Sequence, residues 1–324
     1  MHNYNHYLNL INEAISNLRL PVQPAQLYEP ISYTMALGGK RIRPVLTLMS
    51  CEAMGGNPRD AVNAALGIEL FHNFTLIHDD VMDRADLRRG KPTVHRRWND
   101  NVAILSGDAM LTLATQVISK VDTDVLPDIL DLFNATAMEV YEGQQWDMEF
   151  EDRNDVTVDE YMKMIRLKTS VLLGCACKTG AIIAHASEDD ARTIYEMAVN
   201  LGIAFQLQDD YLDVWGDPAT FGKEIGGDIM NNKKTFLLIN AIQNAAGNDE
   251  KALKHWLSDN SSPKQEKIQA VTHLYEDLGV KVLAQNAIVN YSHKALDLLH
   301  EVKMSYDAYK EFERLIKKLI NRNR

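Results

Sequence analysis

The sequence has few of the residues that interrupt helices or cross-link small domains. Its 324 residues include 17 glycines, 9 prolines and 3 cysteines. Glycine and proline both fall below their usual share, which favours long helices and excludes a collagen-like chain. Three cysteines cannot build a disulfide framework, and Cys175 and Cys177 lack the second pair that a zinc site needs. We therefore expect Cys51, Cys175 and Cys177 to be small core residues in a reducing compartment.

Basic residues and long apolar runs are also scarce. The chain has 34 lysines and arginines against 45 aspartates and glutamates, a net charge of −11. This balance argues against a general nucleic-acid surface, although it allows a small basic pocket for an anionic ligand. No charge-free apolar run approaches the roughly 18 residues that span a bilayer, and no basic-then-apolar leader opens the chain. The sequence thus predicts a soluble, cytoplasmic protein with neither a membrane span nor a nucleic-acid partner.

Helical periodicity dominates the rest of the chain. Hydrophobic residues make up 46% of it and charged residues 24%, which is ordinary globular usage. Apolar residues recur at helical spacing, often after an N-capping residue or a proline. The pattern predicts helices over residues 58–83, 106–118, 127–148, 157–183, 187–215, 234–245, 250–258, 264–278, 280–302 and 306–320. No repeat, linker or shift in composition divides the chain, so residues 1–324 are predicted to form a single all-α domain, a bundle of about ten or more helices.

Two clusters of aspartates near the ends of predicted helices provide the first sign of chemistry. Residues 79–83 and 209–213 both read D-D-x-x-D. Side chains at positions i and i+4 share a helix face, so each cluster crowds carboxylates that repel one another, and a helix C-terminus disfavours anions. This indicates a countercharge, and carboxylate oxygens suit Mg²⁺, which shares its coordination with substrate phosphates. For either cluster alone, a solvated acidic helix end is the alternative.

Two short basic segments flank the first acidic cluster. Residues 38–44 read G-G-K-R-I-R-P, and residues 88–92 read R-R-G-K-P. Arginine binds phosphate in a bidentate manner, and lysine adds a point charge. Basic loops alone are usually solvated surface, but beside metal-binding carboxylates they indicate a diphosphate bridged to metal ions.

The helical register aligns further polar residues with each acidic cluster. On the first helix, His72, Asp79 and Asp83 recur at helical spacing and share one stripe. Gln206 shares a matching stripe with Asp209 or Asp210 and with Asp213 on the later helix. If the two stripes face each other, they enclose a central cavity with acidic groups at its mouth and apolar residues below.

Taken together, these motifs resemble those of the all-trans polyprenyl diphosphate synthases of the farnesyl and geranylgeranyl diphosphate synthase type. The match runs in order through residues 38–44, 76–83, 88–95, 168–169, 205–213, 222–228 and 232–235. The resemblance implies an isoprenoid-synthase helical bundle with a central cavity, and a homodimer. It also implies a magnesium-dependent prenyltransferase that condenses isopentenyl diphosphate with an allylic diphosphate (dimethylallyl, geranyl or farnesyl diphosphate), making geranylgeranyl or farnesyl diphosphate.

The resemblance further implies a role for each matching residue. The diphosphate of isopentenyl diphosphate is assigned to Lys40, Arg43, His72 and Arg89. The allylic diphosphate is assigned to Arg88, Lys168, Lys223 and Lys233, with Lys234 as a weaker candidate. Three Mg²⁺ ions are assigned to Asp79, Asp83 and Asp209, with Asp80, Asp210 and Asp213 as partial or outer ligands. The allylic cation that forms when its diphosphate leaves is assigned to Thr169 and Gln206.

Within this family, product length depends on the side chains just before Asp79. Phe74 and Thr75 lie five and four residues earlier, about 6–7.5 Å down the helix at 1.5 Å per residue. A ring at Phe74, with Phe71 as a second barrier, would stop a growing chain. This favours a short product of fifteen or twenty carbons, although Phe74 as ordinary core, and with it a longer-chain synthase, stays open.

Three other classes of protein share part of the pattern. A terpene cyclase has the helical fold and one aspartate motif, but it has no second diphosphate to bind and lacks the loop at residues 38–44. A non-catalytic subunit of a heteromeric synthase usually has degraded aspartate motifs, whereas both are intact here. An acidic metal-binding scaffold without catalysis does not explain the basic segments.

Overall fold

Helices account for most of the computed structural model, which describes residues 1–217, 225–259 and 261–320. The described helices and strands are, in order, α1 (Tyr4–Ser16), α2 (Ala25–Ala36), α3 (Ile42–Ala53), α4 (Val62–Met82), β1 (Leu87–Arg88), β2 (Lys91–Pro92), α5 (Val94–Arg97), α6 (Asp100–Ile118), α7 (Leu126–Glu151), α8 (Val158–Ile165), a π-helical turn (Arg166–Ser170), α9 (Val171–Ile183), α10 (Glu188–Trp215), α11 (Gly227–Met230), α12 (Phe236–Asn244), α13 (Asn248–Ser258), α14 (Lys264–Asp277), α15 (Val280–Glu301) and α16 (Tyr306–Ile320). The all-α class predicted from periodicity is confirmed.

The predicted helix starts at residues 157 and 187 are both confirmed by side-chain caps. The Thr157 hydroxyl accepts a hydrogen bond from the Glu160 amide at 3.2 Å, and the Glu160 carboxylate accepts one from the Thr157 amide at 2.8 Å. This reciprocal capping box satisfies two amide groups that the first turn of α8 leaves unpaired. Ser187 caps α10 by accepting from the Asp190 amide at 3.1 Å, and its hydroxyl donates to Asp190 Oδ2 at 2.6 Å.

The helix start predicted at Ser106 is wrong. α6 begins at Asp100, where the side chain of Asn99 accepts from the Val102 amide at 2.9 Å. Ser106 is buried in the middle of α6, and its hydroxyl donates to the Leu27 carbonyl at 3.1 Å. A serine is favoured at a helix start only when its backbone is not yet helical, and here a tertiary partner satisfies it instead.

The predicted start at Pro58 is also displaced. Residues 58–61 form a separate turn, and α4 begins at Val62. The hairpin formed by β1 and β2 was not predicted, because strands of two residues are too short to show alternation.

Contacts between residues divide the chain into two compact units. The first unit comprises Met1–Ala135, Cys175–Tyr195 and Val302–Phe312. The second unit comprises Thr136–Gly174, Glu196–Glu301 and Glu313–Arg324.

At the centre of the first unit, α4 packs against α3 and α6. Every residue of α4 from Ala64 to Phe71 is buried, and all of them except Glu69 are apolar, as in a helix at the centre of a core. This packing fixes the helix that carries Asp79 and Asp83 at its C-terminal end. Cys51, Cys175 and Cys177 are buried as free thiols in the same unit, which confirms that they are core residues.

In the second unit, two glycines allow other helices to approach the π-helical turn. A Cβ atom added at Gly143 of α7 would overlap the backbone nitrogen of Lys168. One added at Gly202 of α10 would lie 2.8 Å from the Cα of Ser170. π-helical turns occur frequently at functional sites. The close packing around Lys168 and Thr169 therefore makes this turn a candidate part of the functional site.

Within the described chain, α6 is the one helix with the length and hydropathy of a membrane span. Its 19 residues have a mean hydropathy of 1.3 over the best 18-residue window, and 39% of that window is buried. A core helix of a soluble protein passes the same test, and α6 packs against α2 and α4.

Candidate active site

The C-terminal end of α4 brings its aspartates next to an arginine. Arg88 donates to Asp80 Oδ1 from Nε at 2.9 Å and from Nη2 at 2.6 Å, and Nη2 lies 3.5 Å from Asp79 Oδ2. Burial raises the pKa of Asp80 despite the opposing effect of Arg88. Burial alone would lower the pKa of Arg88, but the neighbouring aspartates raise it. Arg88 therefore supplies part of the countercharge that the acidic cluster requires, while Asp83 is exposed at the helix end.

The β-hairpin positions Arg88 and its neighbour Arg89. Arg88 pairs with Lys91, and the turn residues Arg89 and Gly90 have positive φ values of 54° and 74°, as in a type I′ hairpin turn. The Tyr33 hydroxyl donates to the carbonyl of Pro92 at 2.7 Å and so ties the second strand to α2. The two adjacent arginines thus have different neighbours: Arg88 binds Asp80, whereas the Arg89 guanidinium lies against Gly39.

A cationic cluster surrounds His72, in which Arg43 and His72 are half-buried and Arg89 is exposed. Arg43 Nη1 lies 3.1 Å from His72 Nε2. Burial holds the pKa of His72 well below its ordinary value, and the positive charges of Arg43 and Arg89 lower it further, so His72 is neutral and accepts from Arg43. Burial lowers the pKa of Arg43 to about 10 against the attraction of Glu69, and Arg89 adds to the decrease. Burial and the charge of Arg41 likewise lower the pKa of Arg89.

One hydrogen-bond donor of this cluster is unsatisfied. Arg43 Nε is buried and has no hydrogen-bond partner. A buried unpaired donor on a charged group costs free energy, and so do like charges held close together. Both costs disappear when a multivalent anion binds, so the cluster is suited to a diphosphate.

In the second unit, the aspartates of α10 contact their own framework. Asp210 is buried and accepts hydrogen bonds from the Tyr161 hydroxyl and from Gln206 Nε2, the latter at 3.1 Å. Burial raises the pKa of Asp210 to about 8, and the negative charge of Asp228 contributes. Asp213 Oδ2 accepts from the Asp228 amide at 3.0 Å. Asp210 and Asp213 therefore hold neighbouring segments in place. Asp209, the first aspartate of this cluster, is half-buried.

Asp147 is a residue that the sequence analysis missed. Lys168 Nζ donates to Asp147 Oδ2 at 2.6 Å, and Lys233 Nζ lies 3.9 Å from the same oxygen. Burial alone would raise the pKa of Asp147, but the two lysines hold it below its ordinary value. Lysines from two distant segments thus meet at one ionised carboxylate of α7, and no local spacing indicates this.

The structure also brings together Thr169 and Gln206. Thr169 Oγ1 donates to Gln206 Oε1 at 3.4 Å. Lys234 Nζ donates to the carbonyl of Glu151 at 3.0 Å, which distinguishes it from Lys233 beside Asp147. Lys223 lies outside the described residues.

Aromatic rings form a continuous column along α4. The ring of Phe74 lies 4.8 Å from that of His78 and 5.5 Å from that of Phe71, and Phe71 lies 5.2 Å from Phe133 of α7. Phe71 is fully buried, and Phe74 is 5% exposed. Thr75 is half-buried, with its hydroxyl donating to the backbone. Neighbours on both sides therefore hold the Phe74 ring in one orientation.

The donor set of the two acidic clusters suits a hard divalent cation. In the part of the chain that the structure describes, no group of three or more His, Cys, Asp or Glu side chains forms a ready-made metal site. Mg²⁺ is usually held by one or two carboxylates, with water and substrate phosphate completing its shell. Taken separately, the α4 cluster with Asp79 and Asp83 and the α10 cluster with Asp209 therefore each offer the kind of donor that Mg²⁺ binds together with a diphosphate.

Sequence comparison identifies the class of protein. The profile of the family described as polyprenyl synthetase matches residues 24–275. The chain therefore belongs to the polyprenyl synthetase family, as its motifs indicated.

Individual relatives agree in sequence and in fold. The chain is 37% identical over 296 residues to the geranylgeranyl diphosphate synthase of Methanosarcina mazei, covering 90% of this chain and 89% of the relative. A crystal structure of a geranylgeranyl pyrophosphate synthase superposes with a TM-score of 0.95 at 45% identity, over 100% of both chains. The geranylgeranyl pyrophosphate synthase from Corynebacterium glutamicum, complexed with isoprenyl diphosphate and magnesium, has a TM-score of 0.84 at 28% identity, covering 99% of this chain and 96% of that one.

Proposed function

We propose that this protein is a short-chain trans-prenyltransferase of the cytoplasm. It condenses isopentenyl diphosphate with an allylic diphosphate (dimethylallyl, geranyl or farnesyl diphosphate) and releases diphosphate, making geranylgeranyl diphosphate or farnesyl diphosphate. The observation that carries the proposal is the cationic cluster at His72, where Arg43 Nη1 lies 3.1 Å from His72 Nε2 and the buried Arg43 Nε has no hydrogen-bond partner, with Arg89 exposed at its edge. Family membership supports the reaction class.

The proposed binding roles follow from the charges and from the matching motifs. Isopentenyl diphosphate binds through its diphosphate to Lys40, Arg43, His72 and Arg89. The allylic diphosphate binds to Arg88, Lys168 and Lys233, and to Lys223 outside the described residues. Three Mg²⁺ ions are held by Asp79, Asp83 and Asp209, with Asp80, Asp210 and Asp213 in supporting positions. The carboxylate donors and the magnesium complex of the C. glutamicum relative support this metal.

The chemistry follows from these residue types. When bound, Mg²⁺ neutralises the charge that builds on the departing diphosphate. Lysine and arginine orient each diphosphate through charge-assisted hydrogen bonds. The side-chain oxygens of Thr169 and Gln206 stabilise the positive charge on the allylic carbon, and the isopentenyl double bond attacks that carbon. The proton lost from the new product passes to the released diphosphate, so the reaction needs no protein nucleophile.

Incubation of the purified protein with labelled isopentenyl diphosphate and each allylic primer tests the proposal. We expect elongation of at least one primer to a twenty-carbon or fifteen-carbon diphosphate, with full dependence on added Mg²⁺. Products of thirty carbons or more would support a longer-chain synthase. Elongation that requires a second polypeptide would support a non-catalytic subunit instead.

Single substitutions are expected to separate the two diphosphate sites. Arg89→Ala should raise KM for isopentenyl diphosphate by about tenfold or more, because a hydrogen bond to a charged group contributes about 1.5–3 kcal/mol. Lys168→Ala should raise KM for the allylic substrate by a similar factor. Steady-state kinetics with one substrate varied at a time measures both effects. If either variant affects both substrates equally, the assignment of that residue is wrong.

We also propose that the protein is a homodimer. Ile104 and Leu105 on α6 are 44% and 60% exposed, and a second copy would remove such apolar side chains from water. Sedimentation at micromolar concentration should give twice the chain mass of 36.6 kDa. Leu105→Asp should shift the mass towards the monomer, whereas Val282→Asp, at a residue of α15 that is 57% exposed, should not. A monomer mass for the unmodified protein would refute the proposal.

A further inference from the structure

The loop at residues 38–41 has a backbone that must be held in place from outside. It lies between α2 and α3 and belongs to neither helix. Gly38, Gly39 and Arg41 have positive φ values of 77°, 128° and 48°. A non-glycine residue such as Arg41 rarely adopts this conformation unless its surroundings impose it. The loop carries Lys40 and leads directly into Arg43, so its conformation determines where these cations lie.

A buried ion pair holds the inner side of the loop. Arg41 donates from Nη1 to Glu69 Oε1 at 2.6 Å and from Nη2 to the carbonyl of Met35 at 2.6 Å. Asn73 Nδ2 donates to Glu69 Oε1 at 3.0 Å. Arg41 and Glu69 are 5% and 2% exposed. A buried pair with these hydrogen bonds resists separation, because either partner alone would be a desolvated charge.

Two further contacts hold the loop on its other sides. The Tyr4 hydroxyl on α1 donates to the carbonyl of Lys40. The Arg89 guanidinium lies against Gly39, where an added Cβ atom would be 2.6 Å from Arg89 Nη1. The loop therefore contacts the N-terminal helix, the central helix α4 and the β-hairpin.

Glu69 is a carboxylate that lies close to the cationic cluster, yet its charge is neutralised by Arg41. A carboxylate close to a diphosphate site repels the substrate unless its charge is neutralised by a partner. Glu69 acts electrostatically on Tyr4, Arg43 and Arg89, yet its oxygen is bonded to Arg41 and Asn73. Its contribution is thus to hold the loop rather than to contact the substrate.

We infer that Tyr4, Arg41 and Glu69 are positioning residues for isopentenyl diphosphate, and that the N-terminal helix is thereby part of this substrate's site. They hold the loop in the conformation in which Lys40 and Arg43 meet the diphosphate. The inference rests on the proposed function. Tyr4, Arg41 and Glu69 do not contact the substrate themselves but act on it through the loop that they hold.

A pair of tyrosine substitutions on one helix tests the inference. Tyr4→Phe removes only the hydroxyl that holds Lys40, and we expect KM for isopentenyl diphosphate to rise about threefold to tenfold, as for the loss of one hydrogen bond. KM for the allylic substrate and kcat should stay within twofold. Tyr7→Phe is the matched control, because the Tyr7 hydroxyl donates to Glu52 Oε2 at 2.8 Å instead of to the loop. It should change neither KM.

Glu69→Gln tests the ion pair with the shape of the side chain preserved. We expect a rise of more than about tenfold in KM for isopentenyl diphosphate and no change in KM for the allylic substrate. If this variant does not fold, the Tyr4 and Tyr7 variants decide the question. An unchanged KM for isopentenyl diphosphate in Tyr4→Phe, or parallel rises for both substrates, would overturn the inference. Failure of the unmodified protein to elongate any primer would instead refute the proposed function.

Discussion

Asp79→Ala is expected to lower turnover by about a thousandfold or more. The proposed reaction begins with loss of the allylic diphosphate, and metal-bound charge stabilisation contributes several kcal/mol to such a step, with each 1.4 kcal/mol equal to a factor of ten. Turnover at saturating Mg²⁺ and saturating substrates measures the effect. Asp209→Ala should behave in the same way, and EDTA should abolish the activity of the unmodified protein.

The fold should survive the loss of the Asp79 carboxylate. Arg88 keeps its closer contacts to Asp80, at 2.6 and 2.9 Å, so the end of α4 and the hairpin stay connected. Removing one of several carboxylates at a helix C-terminus also relieves repulsion and an unfavourable interaction with the helix dipole. The melting temperature should therefore be equal to or above that of the unmodified protein.

A nearby aspartate provides the control for this experiment. Asp86 is 76% exposed and forms a surface ion pair with Arg96 at 2.7 Å. Asp86→Ala should leave turnover within twofold, since exposed ion pairs contribute little. Near-normal turnover in Asp79→Ala would exclude a metal-binding role for the α4 cluster.

Phe74→Ala is expected to lengthen the product by at least one five-carbon unit. The ring lies about one and a half turns before Asp79, where the prenyl chain of the proposed product would extend away from its diphosphate. Its contacts with Phe71 and His78, at 5.5 and 4.8 Å between ring centres, hold it in one orientation. Replacing the ring with a methyl group removes a barrier comparable in size to an isoprene unit. Chromatography of the dephosphorylated products measures the change.

The aromatic column also predicts how far the lengthening proceeds. Phe71 is fully buried and supported edge-on by Phe133 at 5.2 Å, so it stays in place when Phe74 is removed. Phe74→Ala alone should therefore add a limited number of units, and Phe71→Ala combined with Phe74→Ala should add more. The buried residue Phe312 on α16 provides the matched control: Phe312→Ala also loses a core ring, at a cost of about 3–5 kcal/mol, without changing product length. An unchanged product from an active Phe74→Ala variant would make Phe74 an ordinary core residue.

Local spacing in the sequence predicted most of the longer helices from α4 onward, but it predicted none of α1, α2, α3 and α5. Helical periodicity located the helices that carry both acidic clusters, and a capping motif at Ser187 located the start of α10, because these signals depend on residues within one or two turns of each other. The misplaced start at Ser106 has the same origin. Its side chain has a capping residue's chemistry, and only the distant carbonyl of Leu27 shows that it acts elsewhere.

The residue types of the site, their order along the chain and the class of ligand they suit were thus determined by the sequence itself. Tertiary structure decided how they are partnered: Arg88 binds Asp80 while Arg89 covers Gly39, Asp147 joins Lys168 to Lys233, and Glu69 holds the loop through Arg41. Adjacent arginines have the same chemistry in a sequence, and a lone glutamate or aspartate in a helix has no distinguishing spacing. Their roles depend on which distant groups packing brings within about 3 Å, and that distance is a property of the folded chain alone.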